Sequence, residues 1–344
     1  MANGISRTLI LWLTALACQG VPMVTEIETV RGAVATADLG QTLMHEHVFV
    51  LSPESAANWS DEWDEEAKVT EAVTKLAEVV EAGVRTIVDP TVDGLGRDIR
   101  RVARVNEAVP GLNIIPATGA YTYADVPHWF ALRGPGALPD LPEPMIDLFV
   151  RDIEDGIQGT SIKAAFFKCA IDHHGLTAGV ERIMRAEAKA HGITGAPIMV
   201  HNNPGQDTMA EVQRIMGEEG VDPRRVLMAH VGDSTDVDRL AGLAAEGYLL
   251  GMDRFGIDAI LPFDDRVNTV VALCERGWAG RMVLAHDTSC YIDWIEPNVR
   301  AFLPNWHYLH IHQEVLPALR ARGVSDEQID QMLVGNPRDW FERT

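Results

Sequence analysis

The sequence lacks the signatures of several protein classes. Its 344 residues include four cysteines, Cys18, Cys169, Cys274 and Cys290, and no two of them have the CxxC spacing of a zinc ribbon or a redox motif. Their wide separation, in a chain with enough apolar residues for a large core, predicts free thiols in a reducing compartment. No apolar run is long enough to span a bilayer.

Positive charge is also scarce. Lysine and arginine total 29 against 50 aspartates and glutamates, which gives a formal net charge of -21. A surface this acidic repels phosphate backbones and anionic lipids, so the composition argues against nucleic acid or a membrane as partner.

Three catalytic motifs are missing. No GxSxG is present, so a serine hydrolase would lack its nucleophile elbow. Gly94-Leu95-Gly96 lacks the third glycine of a dinucleotide-binding turn and does not open a helix directly after a strand. The HExxH of zinc peptidases is absent as well.

The N-terminus allows two interpretations. Leu9 to Ala17 is a short apolar run followed by Cys18, which resembles the apolar region of a secretory signal. Alternatively, translation starts at Met23 and the preceding residues are an upstream artefact. We therefore treat residues 1–22 as an uncertain extension and residues 23–344 as one domain. The protein would be exported if the signal is real and cytoplasmic otherwise.

From Leu43 onward, short apolar runs alternate with longer amphipathic stretches. Most of the runs are almost continuously hydrophobic, as strands covered on both faces should be. We predict strands at Leu43–His47, Arg85–Asp89, Asn113–Thr118, Ile162–Lys168, Ile198–His201, Val226–His230, Tyr248–Asp253 and Met282–Asp287. Eight strands alternating with helices predict a (β/α)₈ TIM barrel, with a doubly wound open sheet as the alternative.

Residues of the types that bind metals recur where these strands end. His45 and His47 end the first strand, and period-two spacing places both imidazoles on one side, with Glu46 on the other. Later strands end in four more such residues, Lys168, His201, His230 and Asp287. A single histidine at a strand end is usually structural, but five strands ending in this way predict a shared binuclear metal site at the C-terminal mouth of the barrel.

These residues and their surroundings closely resemble the phosphotriesterase family of the amidohydrolase superfamily, from about Glu26 to Arg343. The resemblance rests on segments that include Met44-His45-Glu46-His47-Val48, Phe167-Lys168-Cys169-Ala170, Val200-His201, Ala229-His230, Gly251-Met252-Asp253-Arg254-Phe255-Gly256 and His286-Asp287. Relatives begin near the equivalent of Met23, which favours the later start.

The resemblance implies a specific metal site. His45, His47 and Asp287 would hold a buried ion, and His201 and His230 a more exposed one. Lys168, converted by CO₂ to a carbamate, would bridge the two together with a hydroxide that attacks the substrate. Zinc suits these ligands, and cobalt, manganese or iron would also fit.

The substrate is predicted from the same resemblance. Three features resemble the lactonase branch of this family: Tyr123, the short segment that starts at Arg254, and Trp294. In that branch the corresponding tryptophan lines the acyl channel. The implied activity is the opening of lactones, N-acyl-homoserine lactones above all, with hydrolysis of organophosphate triesters as a side activity. A dedicated phosphotriesterase, or another ester or amide hydrolase of the family, is the alternative. Relatives are commonly homodimers.

Asp287 and Arg254 are the remaining catalytic candidates. Asp287 would orient the nucleophile and take its proton. Arg254 would either pair with an acidic residue such as Asp253 or Asp258 or assist proton transfer, and a positioning role is preferred.

Overall fold

The computed structural model describes residues 25–59 and 63–342, so the N-terminal extension and Cys18 lie outside the described residues. The strands are β1 Glu26–Thr29, β2 Gly32–Ala35, β3 Thr42–Leu43, β4 His47–Val50, β5 Thr86–Asp89, β6 Asn113–Gly119, β7 Phe166–Ala170, β8 Ile198–His201, β9 Val226–Ala229, β10 Leu249–Met252, β11 Met282–Leu284 and β12 Ser289–Ile292. Strands β1 and β2 form an antiparallel hairpin ahead of the main sheet.

Helices occupy the intervals between the strands. They are α1 Pro53–Asn58, α2 Glu65–Glu81, α3 Ile99–Ala108, α4 His128–Ala131, α5 Pro144–Glu154, α6 Ala178–Thr194, α7 Thr208–Glu218, α8 Val237–Glu246, α9 Phe263–Glu275, α10 Pro297–Arg300, α11 Leu316–Ala321, α12 Asp326–Asp330 and α13 Asn336–Glu342. Side-chain caps fix several of their starts: Asp64 accepts from the Ala67 N–H before α2, and Thr177 from the Val180 N–H before α6. Single π-helical turns, Ile311–Val315 and Gln331–Gly335, precede α11 and α13.

The main sheet is parallel and ordered β11-β10-β9-β8-β7-β6-β5-β3, and a second parallel pair joins β12 to β4. Hydrogen bonds across the seam connect the first and last strands of the sheet: Met44 N–H donates to the Leu284 carbonyl at 3.4 Å, and Asp287 N–H to the His45 carbonyl at 3.0 Å. The (β/α)₈ barrel is confirmed, and the open sheet is excluded.

Three predicted strands differ from the structure by more than one residue at an end. The eighth ends at Leu284, so Asp287 lies three residues beyond it. The first is interrupted between Leu43 and His47, because the backbone there donates to neighbouring strands on either side of the seam. Glu46 is buried at this break, where it accepts from His286 Nδ1 at 2.6 Å and from the Thr288 N–H at 3.1 Å. The fourth predicted strand begins only at Phe166 and continues to Ala170, so Lys168 lies in its middle.

Burial follows the two faces of the strands. Phe166 and Met199 point into the barrel, whereas Phe167, Cys169 and Val200 pack under the helices. All three cysteines in the described part of the chain are buried and unpaired. None of the described helices is long and apolar enough to cross a membrane.

Candidate metal centre

All six predicted metal ligands line one cavity at the C-terminal mouth of the barrel. Asp287 lies at its centre. Its Oδ1 is 3.2 Å from His45 Nε2 and 3.3 Å from His47 Nε2, and its Oδ2 is 3.7 Å from His230 Nε2. The candidate ligand atoms of His45, His47 and Asp287 lie within 4.8 Å of one another, which is close enough for one ion to reach all three.

The second half of the centre lies beside the first. The imidazole rings of His201 and His230 are 4.4 Å apart between centroids, and those of His45 and His230 are 4.8 Å apart. Lys168 is buried, with its Nζ 3.1 Å from the Cys169 carbonyl and 5.0 Å from the centre of the Tyr121 ring.

Backbone geometry turns two of these side chains toward the cavity. His230 and Asp287 each follow the end of a strand with positive φ, 66° and 53°, in the left-handed region that non-glycine residues adopt at a cost. The backbone N–H of His230 donates to Asp253 at 2.7 Å, and that of Asp287 to the His45 carbonyl, so hydrogen bonds hold both turns.

Burial sets the protonation of the cluster. It lowers the pKa of His45 to about 4 and that of His201 below its usual range, so both imidazoles are neutral at pH 7 and have lone pairs available. Burial also lowers the pKa of Lys168 to about 8. Burial opposes ionisation of Asp287, yet the histidines around it keep its pKa well below the ordinary value. Neutral imidazoles, an ionised carboxylate and a readily deprotonated amine form a donor set that fits divalent metal ions.

Three residues of the site were missed from the sequence. The Tyr121 hydroxyl is hydrogen-bonded to the Tyr123 hydroxyl at 2.7 Å and lies 3.0 Å from His201 Nδ1. The Tyr121 hydroxyl therefore lies closer to the cluster than that of the predicted Tyr123. Asp172 contacts the other nitrogen of His201. Asp253 contacts two of the histidines. The position of Tyr121, two residues before Tyr123 and just after β6, could have suggested it as a further candidate.

Arg254 lines the cavity, but its expected partners were wrong. It pairs with Asp287 at 3.2 Å and with Asp233 at 3.0 Å, not with Asp253 or Asp258. Asp253 points instead at two histidines, and Asp258 accepts from Asn305 at 2.8 Å.

The predicted Tyr123 and Trp294 both line the same cavity. The Trp294 ring is 6.1 Å from that of Tyr121 and remains 43% exposed, so it lies at the rim. His173, which follows Asp172, is largely exposed, and its ring stacks edge-on against Tyr123 at 5.2 Å.

A barrel with four histidines, a lysine and an aspartate around one cavity at its C-terminal mouth is the arrangement of a metal-dependent hydrolase. Comparison with known proteins agrees with this class. The model of the phosphotriesterase family matches residues 25–341, and the chain belongs to that family.

Individual relatives are similar over nearly their whole length. The phosphotriesterase homology protein of Mycobacterium tuberculosis is 57% identical over 320 residues, which cover 92% of this chain and 98% of that protein. The aryldialkylphosphatase of Saccharolobus solfataricus is 38% identical over 90% of this chain and 98% of its own. The human N-acetyltaurine hydrolase is 28% identical over 92% of this chain and 97% of its own.

A solved structure, that of the phosphotriesterase from M. tuberculosis, superposes with a TM-score of 0.91 at 56% identity. The superposition covers 93% of this chain and 99% of the other. The chain is therefore an enzyme of the hydrolase class, in a family that is generally dependent on two metal ions.

Proposed function

We propose that this enzyme opens lactones, N-acyl-homoserine lactones above all, and hydrolyses organophosphate triesters as a side activity. The observation that supports this substrate class is the cavity itself, which has a charge-compensated polar end and an apolar wall. Its volume is about 260 Å³.

The ligands proposed for one ion are His45, His47 and Asp287, and for the other His201 and His230, with a carbamate on Lys168 joining them. Zinc suits this set best, and cobalt, manganese or iron would also fit. When bound, two such ions would lower the pKa of a water to about 7 and polarise the bond to be attacked. The buried, readily deprotonated amine of Lys168 supports carbamate formation, because CO₂ reacts with neutral amines.

The charges around the cavity favour a neutral substrate. Apart from the histidines, the cations that line it are Lys168 and Arg254. Arg254 already faces two carboxylates, and Lys168 would become anionic as a carbamate. Beyond the metal positions, the described side chains of the cavity therefore offer no unpaired cation to a sulfonate or a phosphate monoester, whereas lactones and phosphotriesters need none.

The apolar wall favours a substrate with a hydrocarbon tail. It includes side chains from the segment after β10, from the end of β12 and from the loop that follows β12, namely Ile257, Ile260, Ile292, Trp294, Ile295 and Leu303. Ile260 is 52% exposed and Trp294 is 43% exposed, so this wall extends from the polar end to the surface. An acyl chain along it would bury apolar area worth about 0.8 kcal/mol per CH₂.

Side chains of the enzyme would carry the proton and position the ring. The oxygen of water forms a bond to the lactone carbonyl carbon, the ring C–O bond breaks, and the proton passes to the leaving oxygen, giving a hydroxy acid. Asp287 would accept that proton from the attacking water, and Arg254, 3.2 Å away, would hold the carboxylate in place. Tyr121 and Tyr123 present hydroxyls at the polar end, where they would orient the carbonyl oxygen.

A dedicated phosphotriesterase is the second candidate. The S. solfataricus relative bears the name aryldialkylphosphatase, and a neutral triester meets the charge requirement equally well. We further propose that residues 23–344 form one domain. We also propose that the enzyme is a homodimer, and analytical ultracentrifugation would test this oligomeric state.

The deciding experiment measures kcat/KM on N-acyl-homoserine lactones of several chain lengths and on paraoxon, with the same metal-loaded preparation. A clear lactone preference that increases with chain length supports the proposal. A paraoxon rate far above every lactone would replace it with the phosphotriesterase alternative, and two bound metals without either activity would reject both.

A further inference from the structure

Asp253 lies behind the histidine cluster and is 1% exposed. Its Oδ2 is 2.8 Å from His45 Nδ1. Its Oδ1 is 3.0 Å from His230 Nδ1 and accepts from the His230 backbone N–H at 2.7 Å. One carboxylate therefore contacts two histidines that follow different strands, β3 and β9.

These contacts determine which nitrogen of each ring faces the cavity. An ionised carboxylate can only accept hydrogen bonds, so both Nδ1 atoms must carry the proton. The lone pairs then lie on the Nε2 atoms, and both Nε2 atoms point at Asp287, at 3.2 Å for His45 and 3.7 Å for His230.

Gly251 makes room for this carboxylate. It precedes Asp253 by two residues, so both face the barrel interior. A Cβ at Gly251 would lie 2.6 Å from Asp253 Oδ2 and 2.9 Å from the Ala229 Cα, closer than real Cβ atoms approach such neighbours. Any side chain at position 251 would displace the carboxylate from the two histidines.

The other histidines of the cluster have separate partners. His47 Nδ1 lies 2.7 Å from the Thr91 hydroxyl, and His201 bonds to Asp172. Asp172 also contacts His173, which is not a proposed ligand, but in the described contacts neither partner reaches a second histidine of the cluster. Asp253 differs because it joins His45 and His230, which the proposed function assigns to different metal ions.

We propose that Asp253 is a positioning residue that fixes the Nδ1–H tautomers of His45 and His230 together and so couples the affinities of the two metal positions. This inference rests on the proposed ligand assignment but not on the substrate. The competing role is that Asp253 itself binds an ion, since a ligand atom of it lies within 4.8 Å of ligand atoms of His45 and His230.

The first test is made on the wild-type enzyme without metal. Long-range ¹H–¹⁵N NMR distinguishes the two neutral tautomers of each histidine, with His45→Gln and His230→Gln used to assign the signals. We expect Nδ1–H at both positions. Nε2–H at either one would overturn the proposal, whatever the variants do.

The second test removes the acceptor. Asp253→Asn is expected to shift both histidines away from the Nδ1–H tautomer and to weaken Co²⁺ binding about 10- to 100-fold at both positions, measured by chelator competition. Gly251→Ala keeps the carboxylate but displaces it, and should reproduce the effect. Thr91→Val is the matched control, because Thr91 supports His47 alone and should weaken one position only.

The outcomes separate this proposal from the proposed function. Loss of one Co²⁺ in Asp253→Asn with unchanged tautomers would identify Asp253 as a ligand and overturn the positioning role. Wild-type Co²⁺ affinity in both Asp253→Asn and Gly251→Ala would also overturn it. Wild-type enzyme that binds two Co²⁺ with the expected tautomers but opens no lactone would reject the substrate assignment and leave the positioning role standing.

Discussion

The two ends of the barrel bury different chemistry on the same strand faces. In β7, Phe166 and Lys168 both point inward, two residues apart. At the end where the strands begin, Phe166 packs against Trp340 and Phe341 of α13, with ring centroids 5.9 and 6.3 Å apart. At the other end, Lys168 lies among the histidines of the candidate metal centre.

The difference shows how one barrel separates stability from chemistry. Burying aromatic rings contributes about 25 cal/mol per Å² of apolar area, whereas burying polar groups costs free energy unless partners compensate for the lost water. The apolar end therefore stabilises the fold, and the polar end tolerates strained backbone and shifted pKa values. Substitutions at the two ends should consequently have opposite signatures.

The largest effect is expected from Lys168→Met. Removing the proposed bridge should eliminate most bound metal and lower kcat/KM by about 10³-fold or more, an effect equivalent to roughly 4 kcal/mol. Because methionine fits a buried site, the melting temperature of the metal-free protein should change little. Metal analysis and calorimetry measure both quantities, with the exposed Lys189→Met as control. Full metal content in Lys168→Met would contradict the assignment.

Trp340→Ala should have the reverse signature. Deleting this ring should lower the free energy of unfolding by about 3–5 kcal/mol because it leaves a cavity against Phe166. The kcat/KM of the folded enzyme should stay within a fewfold of wild type. Denaturant unfolding and steady-state kinetics provide the comparison, and Trp129→Ala, at a half-exposed tryptophan, should destabilise much less. A Trp340→Ala enzyme that is stable but inactive would contradict the proposal that one end of the barrel provides stability and the other catalysis.

A smaller effect is expected from the tyrosine hydroxyls. Tyr121→Phe should lower kcat/KM for lactones about tenfold, the loss of one hydrogen bond at the cluster. Tyr123→Phe should lower it less, because its hydroxyl reaches His201 only through Tyr121. Both should affect lactone opening more than paraoxon hydrolysis. Equal losses on the two substrates would count against an orienting role.

Glu187 tests the electrostatics on the outer side of the strands. It is fully buried on α6, and burial raises its pKa to about 8, so the folded state holds a proton that the unfolded state releases above about 4.5. Stability should therefore fall between about pH 5 and 8 by up to roughly 1.4 kcal/mol per pH unit from this group.

Glu187→Gln should remove that decline, so the variant should match wild type near pH 5 and exceed it at pH 8. Urea unfolding across this range measures the difference, with the exposed Glu211→Gln as control. Parallel pH profiles for wild type and Glu187→Gln would show that Glu187 is ionised in the folded protein.

The sequence by itself determined the alternation of strands and helices and the candidate ligand set, whereas closure into a barrel was decided by the hydrogen bonds across the seam. The alternation of strands and helices is local, and so is the placement of His201, His230 and Lys168 on predicted strands. Because parallel strands of a barrel bring their ends to one mouth, residues from His45 to Asp287 could be grouped before any contact was known.

Only the tertiary structure decided how these side chains are supported. The supporting contacts are between residues that are 21 to 208 positions apart in the chain. They are the ion pairs of Arg254, the contact of Tyr121 with His201 and the hydrogen bonds of Asp253 with two histidines. Such pairs depend on strand register, on backbone turns at positive φ and on the break after Leu43. The periodicity of a strand predicts the face of the sheet on which a residue lies. Only the closed barrel determines which other residues that face contacts.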